Sequence, residues 1–162
     1  MKTIILFLFL NMITGCDQSG SKLQQLQAKV DSLQKELNNS YKPGLGEFMS
    51  SIQAHHAKLW FAGINENWKL AEFEIHEIQE ALESIQKFNN DRPESKVIGM
   101  INPAMDSLSN AIRQQRQSVF KSSFILLTNT CNNCHKATKH EFNVVTVPAN
   151  PPIGNQSFKA VQ

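Results

Sequence analysis

The stretch that decides the fold is SVFKSSFILLTNTCNNCH, residues 118–135. Its apolar residues recur every three or four positions, which predicts an amphipathic helix: Phe120, Phe124, Leu127, Cys131 and Cys134. The stripe runs into CNNCH, residues 131–135, which is the C-x-x-C-H attachment signature of a c-type haem. On a helix, the two thiols and the imidazole face the same side within about one turn. The sequence therefore predicts one haem c, held covalently by Cys131 and Cys134, with His135 as the proximal iron ligand.

A redox dithiol and half of a zinc site are the competing interpretations of this motif. A thioredoxin-like C-x-x-C follows a strand in a βαβ unit, and this chain shows no such alternation. A zinc site needs further ligands at suitable spacing. His140 is available for that, but the third cysteine, Cys16, is far away in the sequence and has another use. Covalent haem is the favoured interpretation.

The first 15 residues have the features of a targeting segment. Lys2 precedes a short apolar run, residues 3–10 (TIILFLFL), which is too short for a stable transmembrane helix. The run leads to ITGC, residues 13–16, which resembles the lipobox of bacterial lipoproteins, whose cysteine becomes the lipidated first residue of the mature chain. We expect residues 1–15 to be a signal peptide and lipidated Cys16 to anchor the protein in a membrane. An ordinary signal peptide that is cut nearby is the alternative.

Export agrees with the haem prediction, because bacterial c-type haem is attached outside the cytoplasm. The two motifs use all three cysteines, so no thiol remains for a disulfide. We therefore predict an exported lipoprotein on the periplasmic side of a bacterial membrane. Asp17 directly follows Cys16 and resembles an inner-membrane retention signal of enterobacterial lipoproteins, which favours the inner membrane.

Composition restricts the remaining function classes. The 162-residue chain carries a formal net charge of only +2, so no broad basic surface predicts a nucleic-acid partner. Without its signal peptide the chain is long enough for one hydrophobic core. No phosphate-binding loop, nucleophile elbow or carboxylate pair stands out, and we predict that the protein is not an enzyme. A peroxidase is disfavoured because His56 alone could serve a distal acid–base pair.

A heptad repeat marks the segment after the anchor and its polar tether, residues 16–22. The a and d positions of residues 23–39 are Leu23, Leu26, Val30, Leu33 and Leu37. This spacing is typical of a coiled-coil seam. We predict a stalk in which residues 23–37 make the protein a homo-oligomer, with a helix that folds back onto its own domain as the alternative. NNSYKPG, residues 38–44, ends the stalk.

Four amphipathic segments follow within residues 46–136. They cover about 46–62, 67–88, 103–114 and 118–136. Gly63 is predicted to end the first, Asn67 to cap the second and Ser118 to cap the fourth. Short loops between such segments predict an all-α protein, an antiparallel four-helix bundle with the haem near the end of the last helix. Residues 137–162 contain strand-like HEFNVVTV and several prolines, and are predicted as an extended tail.

This arrangement resembles the class II cytochromes c, the cytochrome c-prime group, over residues 46–136. The late C-x-x-C-H and the helical stripe before it carry the resemblance, and the rest matches only in pattern. The chain departs from that group in its heptad helix and in its continuation past His135, where such cytochromes normally stop soon after. The resemblance implies electron transfer by six-coordinate iron, or binding of nitric oxide or carbon monoxide by five-coordinate iron.

The sixth ligand separates these functions. The first helix of the bundle is expected to run antiparallel to the last, which brings Met49 beside the haem. Six-coordinate members of the resembled class have a methionine ligand near this place. We favour Met49, with an open position as the second choice and His56, two turns later on the same stripe, as the third. Met49 ligation implies a membrane-anchored electron carrier whose redox partner the sequence does not identify. A subunit of a larger redox complex is a further hypothesis.

Overall fold

The computed structural model describes residues 17–40 and 43–160, and the predicted signal peptide and Cys16 lie outside these ranges. The described chain is helical and contains no β-strand, which confirms the all-α prediction. Its helices are α1 (Asp17–Asn39), α2 (Leu45–Ile64), α3 (Trp68–Phe88), α4 (Pro93–Val97), a 3₁₀ helix (Ile98–Ile101), α5 (Asn102–Arg113) and α6 (Gln117–Ala137). The chain divides into two compact units, Met1–Lys42 and Pro43–Gln162.

Within the described residues 17–40, the first unit forms one helix, α1. It begins at Asp17, so most of the predicted tether is already helical. The heptad side chains Leu23, Leu26, Val30, Leu33 and Leu37 are all between 54% and 69% exposed. Among the described helices, none combines the length and the apolar character that crossing a membrane requires.

Some helices of the second unit have a side-chain cap at their first turn, and others have none. At the start of α3, the side chain of Asn67 accepts a hydrogen bond from the Leu70 N–H at 3.2 Å, which confirms the predicted cap. The predicted Ser118 cap is wrong, because α6 begins one residue before it at Gln117. Arg116 takes the cap position there and makes no side-chain cap hydrogen bond.

Helices α2, α5 and α6 end in the same backbone motif. Glu66, Gln115 and Lys139 adopt left-handed conformations with φ of 57°, 53° and 62°. After α2, the Glu66 N–H donates to Gly63 O at 3.1 Å and the Asn67 N–H donates to Ala62 O at 2.9 Å. This pairing is the Schellman motif, which satisfies the last carbonyls of a helix and reverses the chain. The predicted helix end at Gly63 is therefore wrong, since α2 continues to Ile64.

Gly63 instead permits close helix packing. It is buried, and a Cβ atom at this position would overlap the ring of Phe120 on α6. Phe120 is fully buried and also contacts Trp60 and Trp68, with ring centroids 6.3 and 6.0 Å apart. Consecutive helices pack as α2 against α3 and α5 against α6, with further contacts between α3 and α5 and between α2 and α6. This packing sets α2 beside the helix that carries the C-x-x-C-H motif.

The tail after α6 has no strand despite its β-rich composition, but part of it packs on the helical body. Phe158 is 7% exposed, and its ring lies 5.7 Å from that of Phe61 on α2. Phe142 and Val144 are exposed. The Schellman turn at Lys139 returns the chain toward the end of α6, where the tail meets the cysteine motif.

Candidate haem site

One cavity is lined by every axial-ligand and attachment candidate of the haem prediction. It has a volume of about 290 Å³, with Met49 and His56 from α2 and Cys131, Cys134 and His135 from α6 in its wall. Its volume lies near the lower end of the range of small-molecule sites, roughly 300–1,000 Å³. A neighbouring cavity of about 60 Å³ shares Met49, Cys134 and His135. The residues that the sequence predicted to meet are therefore brought together.

The other walls of the larger cavity are mainly apolar. Ile52 lies on α2, Leu82 on α3, Ile101 in the 3₁₀ helix and Val145 in the tail. The cavity thus forms where four separate segments of the second unit meet α6. Apolar walls with a few converging polar groups are typical of small-molecule and cofactor sites.

Both cysteines of the motif are free, and they differ in exposure. Cys134 is 5% exposed and Cys131 is partly exposed. Burial, with repulsion from Cys134, raises the pKa of Cys131 to about 11, and burial also raises the pKa of Cys134. Redox dithiols need a lowered thiol pKa, so this environment disfavours that interpretation. Within residues 17–40 and 43–160, no cluster of three or more His, Cys, Asp or Glu could hold a metal ion.

The imidazole of His135 is oriented by the tail. Its Nδ1 lies 2.6 Å from the backbone oxygen of Asn143. A carbonyl oxygen can only accept, so Nδ1 carries the proton and donates it. In the neutral ring, the lone pair is then on Nε2. Metal-binding histidines are commonly held in this way, with the second ring nitrogen donating to a carbonyl or carboxylate.

Asn132, a spacer residue of C-x-x-C-H, also binds the tail. Its Nδ2 donates to Val145 O at 2.8 Å, and its Oδ1 accepts from the Val145 N–H at 2.8 Å. The C-x-x-C-H motif assigns Asn132 no role. Its side-chain amide has both a donor and an acceptor, so hydrogen bonds could be expected. Nothing in the local sequence indicates which segment they bind.

His56 is buried, and its hydrogen bonds define its tautomer. Its Nε2 lies 2.9 Å from Thr128 Oγ1, and that hydroxyl donates its own proton to Phe124 O at 2.9 Å. Thr128 must therefore accept from His56, so Nε2 carries the proton. Burial lowers the pKa of His56 to about 4, which keeps the ring neutral near pH 7. Nε2, the His56 nitrogen that would bind iron, is therefore already hydrogen-bonded to Thr128 in the core.

Met49 has no comparable constraint. It lies in the second turn of α2, is partly buried against the hydrophobic core, and lines both the larger and the smaller cavity. His56 lines only the larger one. Met49 thus lies between the two cavities, where its side chain also fills core volume.

A charged group lies beside the smaller cavity. Glu94 accepts two hydrogen bonds of 3.2 Å from the guanidinium of Arg92, which lower the pKa of its carboxyl. His140 Nε2 lies 3.7 Å from the same carboxylate, and both Glu94 and His140 line this cavity. Glu94 directly follows Pro93, and no local sequence pattern marks it as a site residue.

A second carboxylate is buried away from both cavities. Glu74 on α3 is 1% exposed and accepts from His55 Nδ1 at 2.6 Å, while its Oε1 has no hydrogen-bond partner within the described residues. A buried carboxylate requires such a partner to offset its desolvation. Glu74 lies three residues after Ala71 and four before Ile78, on the apolar stripe of α3. That spacing indicates that its side chain is buried.

The residues present fit a covalently bound haem, because two intact thiols, an imidazole with Nε2 free and a thioether share one apolar cavity. No protein-family model, curated protein or solved structure matches the chain.

Proposed function

We propose that this protein is a membrane-anchored monohaem cytochrome c that carries electrons outside the cytoplasm. The observation that carries the proposal is the single cavity whose wall contains both thiols of C-x-x-C-H, His135 and Met49. A haem bound there would supply a one-electron Fe(III)/Fe(II) couple. Its covalent attachment would keep the cofactor on the protein through repeated cycles of oxidation and reduction.

The roles of the attachment residues follow from their chemistry. Cys131 and Cys134 would hold the haem, because each thiol could add across one vinyl group, with sulfur on one vinyl carbon and the thiol hydrogen on the other. The addition needs no external oxidant or reductant. His135 would bind the iron through Nε2, since its Nδ1–H is committed to Asn143 O.

We assign the sixth position to Met49. It borders both cavities beside His135, whereas Nε2 of His56 is used by Thr128. A thioether ligand stabilises Fe(II) and raises the reduction potential, which suits an electron carrier. His56 then has a supporting role as a neutral, hydrogen-bonded wall of the site.

The rest of the chain fits a tethered carrier. We infer that α2, α3, α5 and α6 form an antiparallel four-helix bundle, supported by their pairwise packing and short connections. We further propose that Cys16 is lipidated after export, that the protein stays on the periplasmic side of the membrane, and that residues 23–37 join two or more copies. The exposed apolar seam of α1 supports the last point.

The spin state of the iron tests this function. The haem-loaded full-length protein is expected to show low-spin iron by EPR, with an optical methionine-to-iron charge-transfer band. Met49→Ala removes the thioether, so it should give high-spin iron that binds carbon monoxide faster. Met100→Ala is the matched control, because Met100 lies in the 3₁₀ helix and is 41% exposed.

Two results would contradict the assignment. High-spin wild-type iron that takes up nitric oxide or carbon monoxide would indicate the five-coordinate, gas-binding alternative. Low-spin iron that is unchanged in Met49→Ala but lost in His56→Gln would indicate two histidine ligands and a lower potential.

A further inference from the structure

The tail after α6 is fixed at three points around Asn143. The Asn143 N–H donates to His140 O at 2.9 Å, the Asn143 carbonyl accepts from His135 Nδ1 at 2.6 Å, and Val145 is bound by Asn132. At the start of this part of the tail, the His140 N–H donates to His135 O at 2.7 Å in the Schellman turn. The carbonyl that orients His135 is therefore held from both sides along the chain.

The contact between Asn132 and Val145 has two-point geometry. One side-chain amide satisfies both the N–H and the C=O of the same backbone residue, each at 2.8 Å. Neighbouring strands pair in the same way through backbone groups. Because the amide has one donor side and one acceptor side, the two bonds fix both the position and the register of the tail. A shift by one residue would move the Asn143 carbonyl away from His135.

We propose that residues 140–145 are a built part of the axial-ligand site, in which Asn132 is a positioning residue that holds the Asn143 carbonyl on Nδ1 of His135. This inference rests on the proposed function, because it concerns how the chain adjusts the iron ligand. It gives Asn132, which C-x-x-C-H leaves unspecified, a defined role in this chain.

The chemical consequence concerns the donor strength of His135. A hydrogen bond from Nδ1–H to a carbonyl increases electron density on the ring and makes Nε2 a more basic ligand. A more basic axial ligand favours Fe(III) over Fe(II) and lowers the reduction potential. The contact between His135 and the tail would therefore offset part of the rise in reduction potential that a methionine ligand produces. Removing Asn132 should raise the potential.

The two adjacent asparagines provide a matched pair for the test. Asn133 occupies the other spacer position, is exposed, and makes no side-chain hydrogen bond within the described residues. Asn132→Ala and Asn133→Ala therefore remove the same group one residue apart, and only the first loses the tail contact. Asn132→Leu, which has a similar volume, is the second variant if Asn132→Ala does not accumulate as folded protein.

The experiment measures the midpoint potential and amide exchange in haem-loaded full-length protein. Asn132→Ala is expected to weaken the preference for Fe(III) about tenfold, which corresponds to a rise of about 59 mV for one electron. The amide of Val145 should also exchange faster than in the wild type, because its N–H loses the Asn132 acceptor. Asn133→Ala should change neither quantity.

The outcomes separate this inference from the proposed function. If haem is attached in all variants and Asn132→Ala has the same potential as Asn133→Ala, the positioning role is wrong while the cytochrome proposal stands. Faster exchange at Val145 without a change in potential would also overturn it, since the contact would then be structural only. If no variant, including the wild type, retains haem covalently, the proposed function itself fails.

Discussion

At the scale of single residues, helix ends in this protein depend on unfavourable backbone angles. Glu66, Gln115 and Lys139 each occupy the left-handed region in which glycine is the usual residue. A residue with a Cβ atom is less stable there by roughly 1–2 kcal/mol. The Schellman hydrogen bonds and the packing of the adjoining helices must offset this strain.

Gln115 allows this strain to be measured without touching the candidate haem site. Gln115→Gly should raise the free energy of unfolding by about 0.5–1 kcal/mol, because relief of the positive φ of 53° exceeds the added entropy of the unfolded chain. The measurement is denaturant unfolding of the haem-loaded protein, followed by circular dichroism.

The neighbouring glutamine is the control for this prediction. Gln114 has right-handed angles, φ −78° and ψ −8°, so Gln114→Gly should lower the free energy of unfolding by about 0.5–1 kcal/mol. If both substitutions change stability in the same direction, the left-handed strain at Gln115 is not significant.

The same residues explain why the sequence misplaced a helix end. A search for glycine at helix ends finds Gly63, but the residues that actually terminate these helices are not glycines. Gly63 is required by the ring of Phe120, which lies far along the chain. Local sequence rules contain no information about such a contact, whereas the Asn67 cap, which depends on Leu70 nearby, was predicted.

At the scale of elements, helix α1 has an apolar face that nothing covers within the described residues. Its five seam side chains are more than half exposed in the single chain. Full burial of one such side chain stabilises by about 1.5–3 kcal/mol, so joining two seams would be favourable. The seam of residues 23–37 covers only a little over two heptads, which is marginal for an isolated coiled coil, and membrane anchoring would raise its local concentration.

We predict that α1 sets the oligomeric state. The double substitution Leu26→Asp with Leu33→Asp places charges in the seam and should reduce the particle to a monomer. Sedimentation of the full-length protein in density-matched detergent provides the measurement. Gln25→Asp with Ser32→Asp adds the same charges outside the seam and should leave the mass unchanged. A wild-type monomer, or an oligomer that survives the seam substitutions, would contradict the prediction.

The tail shows the limit of prediction for an element without a regular pattern. The sequence predicts only an extended tail, whereas Phe158 packs against Phe61 and Phe142 and Val144 are exposed. The predicted strand-like character did not give a strand, because the backbone groups of Val145 pair with the side chain of Asn132 instead of another strand. Composition indicated an ordered segment but did not indicate what it contacts.

At the scale of the whole molecule, helical class and the convergence of the site residues followed from local patterns. A stripe with period 3.6 identifies α2, α3, α5 and α6 but not the short α4 or the 3₁₀ helix, and the C-x-x-C-H motif fixes its own geometry on α6. The contacts that give the site its chemistry are between distant residues: His135 with Asn143 O, and His56 with Thr128. These contacts could not be predicted from the sequence, because hydrogen bonds between distant elements produce no periodic pattern in it.

The central claim is that Cys131 and Cys134 bind haem covalently. We would measure the intact mass of the full-length protein, produced with a bacterial cytochrome c maturation system, after denaturation and extraction with acidic organic solvent. The wild type should retain the mass of one haem, and Cys131→Ser with Cys134→Ser should retain none. A wild-type chain that loses all haem on extraction, with both thiols still reactive toward alkylating reagents, would contradict the claim.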